Sequence, residues 1–195
     1  RFKKRLYLWI LPILVLALFY NFLDINGKLG FLEYIALFLI GWYLLIWILI
    51  FIGKAFRIIE LLTLGINSII HLITTFTVTY TASNEHHDNT GSAGYWTTLT
   101  YIYIFITIYG RAGAFYSFGL WLLTLLITLT FWDNLLDGFK NNFTQYMLAN
   151  LVYILFLFSA RKIIRTYTEA EILEKLAYQD PLTGIGNRRQ LYIWL

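Results

Sequence analysis

The chain has 195 residues, 59% hydrophobic and 13% charged, about half the ~25% charged share of a soluble domain. Its apolar residues fall in long blocks, which excludes a soluble protein with one core and points to membrane spans. It has no cysteine, so disulfides and thiolate metal sites are excluded too. The net charge of +4 says less than where the charges sit.

The first residues, Arg1-Phe2-Lys3-Lys4-Arg5, precede an apolar run from Leu6 to Leu23. A basic start before an apolar run resembles a signal peptide, but no small-residue cleavage site follows. The run is read as a retained helix. Because the chain opens on Arg1 and closes inside an apparent helix, it is read as a segment of a longer protein.

Further apolar blocks lie at Phe31–Gly53, Ile58–Tyr80, Tyr95–Gly110, Ala112–Trp132 and Phe143–Ala160. A spanning helix needs about 20 residues, and all blocks but the fourth meet that length. Lipid offers no partner to backbone polar groups, so each block is expected to be helical. The expected fold is all-α: a polytopic transmembrane bundle of six helices over residues 1–160.

Six spans place both ends on one side. Arg1, Lys3, Lys4, Arg5, Lys54, Arg57, Arg111, Arg161, Lys162 and Arg165 fall on that side, and only Lys28 and Lys140 on the other. This asymmetry assigns both ends to the cytoplasm. Fusing the fourth and fifth blocks into one span would leave Arg111 near its middle. The expected location is a bacterial inner membrane, with the lipid bilayer as the first partner and no nucleic acid.

The third block carries Glu60, Thr63, Asn67, His71 and Thr74, spaced so that all five share one helical face. Polar groups in lipid are costly, so the face should turn inward. Two readings stay open: a sensing site for an unknown small ligand, built on Glu60, Asn67, His71 and Thr74, or interhelical hydrogen bonds that hold the bundle. Thr100, Tyr103 and Thr107 in the fourth block, and Tyr146, Asn150 and Tyr153 in the sixth, offer matching faces. They suit a quinone-like ligand or plain packing. A haem would need a second central histidine, which the spans lack. In the outer loop, His86 and His87 are weak metal candidates, because neighbouring loop residues rarely both reach one ion. No resident metal or other cofactor is expected in this segment.

Residues 161–179 change to a charged, helix-forming composition. Ile163, Thr166, Ala170, Leu173 and Ala177 follow the 3,4 spacing of a coiled-coil seam, and Glu171 with Lys175 is an i,i+4 pair in the favourable order. A signalling helix that pairs in a homodimer is expected. The other reading is a single helix packed on its own domain. Pro181 ends the helix, and a turn leads to a new helix with Asn187 as candidate N-cap.

Residues 180–195 open with Asp180-Pro181-Leu182-Thr183-Gly184-Ile185-Gly186-Asn187-Arg188-Arg189. This resembles the opening motif of GGDEF domains, D-x-L-T-G-L-x-N-R-R, which follows a short signalling helix. Asp180, Leu182, Thr183, Gly184, Asn187, Arg188 and Arg189 match. Ile185 replaces the usual leucine, and Gly186 stands where proline is common. The resemblance covers about the last 20 residues and implies a diguanylate cyclase, which condenses two GTP into cyclic di-GMP with Mg²⁺. The family's signature loop and metal carboxylates lie downstream, so no catalytic residue is expected in this segment. GTP and Mg²⁺ are implied only for the domain that this motif would open. The chain is therefore expected to be the membrane sensory half of such an enzyme. The alternative is a degenerate domain that binds cyclic di-GMP and regulates a membrane partner such as an exopolysaccharide synthase. A transporter fits less well, because no span is interrupted in mid-membrane.

Overall fold

A computed structural model describes residues 2–23, 30–53, 56–85, 93–179, 183 and 185–187. Their architecture is all-helical, with α1 over Phe2–Leu23, α2 over Phe31–Ile52, α3 over Phe56–Glu85, α4 over Ala93–Thr107, α5 over Arg111–Leu129 and α6 over Asp137–Tyr178. A short 3₁₀ turn, Trp132–Asn134, separates α5 from α6. Among the described residues there is no strand, only an isolated antiparallel bridge between Gln179 and Gly186. Four helices, α2, α3, α5 and α6, are long and apolar enough to cross a membrane.

The bundle is apolar on its outside as well as in its core. Its outward faces carry large apolar side chains, among them Ile48, Phe51, Phe115, Val152 and Phe156. Its interior holds Glu60, Thr63, Ser68, Thr79, Thr97, Ser117, Thr124, Thr128 and Asn150. Where lipid replaces water, apolar surface has no reason to turn inward. Small hydroxyl residues then let helices approach and bond. Three such contacts join α3 to α5: the Tyr116 hydroxyl donates to Ser68 Oγ at 2.9 Å, His71 Nε2 lies 3.0 Å from Thr124 Oγ1, and Thr79 and Thr128 meet at 3.4 Å.

One apolar cluster is made by Leu64, Tyr101, Ile104, Phe105, Leu120 and Ile154, from α3 to α6. A second, Tyr7, Leu11, Ile46, Ile50 and Ile59, ties the α1–α2 hairpin to α3. Indole nitrogens add two cross-links: Trp47 donates to the Leu8 carbonyl at 3.1 Å and Trp121 to the Met147 carbonyl at 2.9 Å.

Most elements differ somewhat in extent from the apolar blocks, and two differences bear on the site. α4 has 15 residues, about 22 Å of helix, and stops at Thr107 rather than Gly110. The cause is Gly110, with φ 73 and ψ −152, a conformation essentially closed to residues with a Cβ. The sixth block is the middle of a longer helix. α6 runs unbroken for 42 residues, across residue 160, where the composition changes from apolar to charged.

Candidate functional site

The site begins where α4 ends. The last carbonyls of a helix have no partner within it, and here they are met by cations from three other helices. Lys3 Nζ donates to the Ile106 carbonyl at 2.6 Å, Arg57 Nη1 to Thr107 at 2.7 Å, and Arg161 Nη1 to Phe105 and Ile108 at 3.0 and 2.6 Å. All three cations also gather on the Tyr109 ring, at 4.4, 5.8 and 5.3 Å from its centroid, within reach of a cation–π interaction. Cations suit a helix C-terminus, where the macrodipole is negative.

Glu60 completes this hub. It is 3% exposed. Its Oε1 accepts from Lys3 Nζ at 3.1 Å and from the Tyr7 hydroxyl at 2.9 Å, and its Oε2 accepts from Arg57 at 2.7 Å. A buried carboxylate is tolerated only when paired and hydrogen-bonded in this way. Glu60 lies in the second turn of α3, and both its oxygens are engaged in ion pairs.

From Glu60 a cavity of about 440 Å³ runs between α1, α2, α3 and α4. Glu60, Thr63, Asn67, His71 and Thr74 all line it, so the helical face read from the spacing is real and turns inward. Its members differ in what remains free. The Thr63 hydroxyl donates to the Ile59 carbonyl, and Asn67 Oδ1 accepts from the Tyr43 hydroxyl at 3.0 Å. The Thr124 hydroxyl donates to the Leu120 carbonyl at 2.9 Å, which leaves its oxygen free to accept from His71 in the tautomer protonated on Nε2. In that tautomer His71 Nδ1 is an acceptor, and among the described residues neither it nor the Thr74 side chain has a hydrogen-bond partner. Asn67 and one edge of His71 bond between helices, while the other edge of His71 and Thr74 face the cavity.

The polar faces of the other spans divide similarly. Thr100 and Tyr103 line the cavity, and the Tyr103 hydroxyl donates to the Glu60 carbonyl at 3.0 Å. Thr107 and Asn150 are buried, and Tyr153 is exposed. The Tyr146 hydroxyl donates to Thr97 Oγ1 at 2.8 Å. His86 and His87 lie outside the described residues. Among the described residues no cluster of three His, Cys, Asp or Glu could hold a metal.

At the far end, α6 stops at Tyr178, and Asn187 folds back on it. Asn187 Nδ2 donates to the Ala177 carbonyl at 2.9 Å and its backbone N–H to Tyr178 at 2.8 Å. Among the described residues, then, Asn187 caps the end of the preceding helix. The helix it was expected to start, with Asp180, Leu182, Gly184, Arg188 and Arg189, lies outside them. Thr183 is a turn residue. The tail is exposed, with Ile163, Leu173 and Leu176 presenting apolar side chains at 54–65% exposure.

Sequence reasoning missed the hub around Tyr109. Its signal was the coincidence of Gly110 with basic residues at the same end of four helices. Those residues had been read only as topology markers. Comparisons with protein-family models, curated proteins and solved structures gave no match.

Proposed function

We propose that this chain is the membrane sensory and regulatory half of a diguanylate cyclase. In this reading α1 and α4 complete six spans in a bacterial inner membrane, with both ends in the cytoplasm, as the basic residues argue. The cavity receives the signal. The tail helix pairs with that of a second copy and sets how two cyclase domains meet.

One observation carries the reading. α6 is continuous from the bundle to Tyr178, and Asn187 of the GGDEF-like motif is hydrogen-bonded to its last turn. A stiff helix without a hinge links the spans directly to that motif. The apolar side chains exposed along residues 163–176 support pairing, since exposed apolar stripes on a helix call for a cover.

The test uses the full-length protein. Residues inserted after Lys162 rotate the motif by ~100° each about the helix axis. Cyclic di-GMP output should change with one to three inserted residues and recover with seven. Output that ignores helical phase, or no cyclic di-GMP at all, would sink the proposal.

A further inference from the structure

The geometry points to a binding site for a neutral single-chain amphiphile, whose hydroxyl head sits between His71 and Thr74 and which enters sideways from the lipid.

Shape comes first. Along α3 the cavity lining extends from Phe56 to Val78, twenty-two residues or about 33 Å. A volume of about 440 Å³ spread over that length is long and narrow. It suits one extended chain better than a compact ligand.

Polarity then orients the chain. In the half nearer Glu60, the wall is Leu11, Ile46, Ile50, Ile59 and Ile106. The polar groups there are engaged: Tyr7 and Glu60 with each other, Tyr103 with the Glu60 carbonyl, and Tyr43 with Asn67. Nothing in that half asks for a hydrogen bond, so it takes a hydrocarbon tail. Open capacity lies in the other half. His71 Nδ1 needs a donor, and the Thr74 hydroxyl, one turn along the same face, can donate. A hydroxyl head answers both, because it donates to the imidazole and accepts from the threonine. A quinone, with acceptors only, leaves Nδ1 unmet. Glu33 also lines this half and has no ion-pair or hydrogen-bond partner among the described residues. Its carboxylate disfavours an anionic head such as a fatty acid's.

The way in is a second groove, of about 360 Å³, between α2 and α3. It is lined by Phe31, Tyr34, Phe38, Ile66, Ile69 and Ile73, and it shares Ile35 and Ile70 with the main cavity. Phe31, Phe38 and Ile69 are more than half exposed, facing where lipid would lie. A lipid-borne molecule thus reaches His71 without crossing water.

As a binding site this stands apart from the proposed output; as the signal input it rests on that reading. Two sources supply the head chemistry, an aliphatic alcohol and a long-tailed quinol, and the test separates them. The full chain in nanodiscs would be labelled with a diazirine-bearing dodecanol, in competition with dodecanol, dodecane, dodecanoate and a decyl-substituted benzoquinol. Dodecanol or the quinol should displace the label, and the stronger competitor names the source. Dodecane and dodecanoate should compete about 3–10-fold less well, the equivalent of one lost hydrogen bond. Thr74→Val breaks no side-chain hydrogen bond among the described residues. It should reduce labelling by a similar factor with an unchanged melting temperature, and His71→Leu should reduce it further. Ile70→Trp at the shared neck should slow labelling. Dodecane competing as well as dodecanol, or labelling unchanged in Thr74→Val, overturns the site. Binding that behaves as expected but leaves cyclic di-GMP unmoved would keep the site and remove its role as input.

Discussion

Arg161 and Ile108 lie 53 positions apart in the chain, yet the Arg161 guanidinium is 2.6 Å from the Ile108 carbonyl. This contact fastens α6 to the end of α4 at the point where its apolar stretch gives way to the charged tail. Gly113 makes the approach possible. A Cβ there would sit 3.0 Å from the Ile108 oxygen and 3.7 Å from Arg161 Nη1.

Arg161→Ala should expose two carbonyls and cost about 1.5–3 kcal/mol, the usual worth of charged hydrogen bonds. Arg161→Lys should recover part of that, because an ammonium keeps the charge but lacks the guanidinium fork. Thermal unfolding in detergent would show the order wild type, Lys, Ala. A lysine variant no better than alanine would mean that charge plays no part.

Removing the Glu60 carboxylate should leave Lys3 and Arg57 facing each other. Glu60→Gln is expected to destabilise by about 1–3 kcal/mol. That is less than a fully buried pair would cost, since Arg57 is half exposed. Adding Lys3→Met should lessen the penalty by removing an unpaired cation. Strictly additive losses in this double-mutant cycle would deny the coupling.

Gly110→Ala should be among the most damaging single-methyl additions in the chain, at about 1–3 kcal/mol, because of its left-handed φ. Gly119, with open space around its Cβ position, is the control. Gly119→Ala should be neutral or stabilising, as glycine lowers helix propensity. Equal melting temperatures for the two variants would count against the turn.

In the tail, the hydrogen bond from Lys175 holds the Glu171 carboxyl below the usual carboxylate range. A carboxylate depressed in the folded helix contributes stability above its unstructured value of about 4.3. That contribution is lost as pH falls through the helical-state value. Amides over residues 171–178 should therefore lose exchange protection on acidification more in the wild type than in Glu171→Gln. Identical pH profiles would show that the pair contributes nothing.

Pairing of the tail is tested by cysteine cross-linking. Cys at Leu173, on the expected seam, should link two copies faster than Cys at Glu174. Equal yields would remove the seam.

Much of this fold was legible in the chain. Apolar blocks gave six helices, and the spacing of Glu60, Asn67, His71 and Thr74 gave their common inward face, because the 3.6-residue period is local. The helix ends were less legible. Hydropathy carried the fourth block to Gly110, but the hydrogen-bonded turns stop at Thr107, where cations from distant helices take over the carbonyls. The pairing of Tyr43 with Asn67, or of His71 with Thr124, was not readable at all. Each depends on which helices become neighbours, and periodicity does not encode that.

The unbroken α6 also has a mechanical consequence. Arg161 to Tyr178 is seventeen residues, or about 26 Å of rod beyond the point where the guanidinium grips α4. With that grip as fulcrum, a tilt of about 10° at the bundle sweeps the tip at Tyr178 sideways by roughly 4–5 Å. Small slackening around Tyr109 would thus be magnified along the rod, as a lever turns a short stroke into a long one.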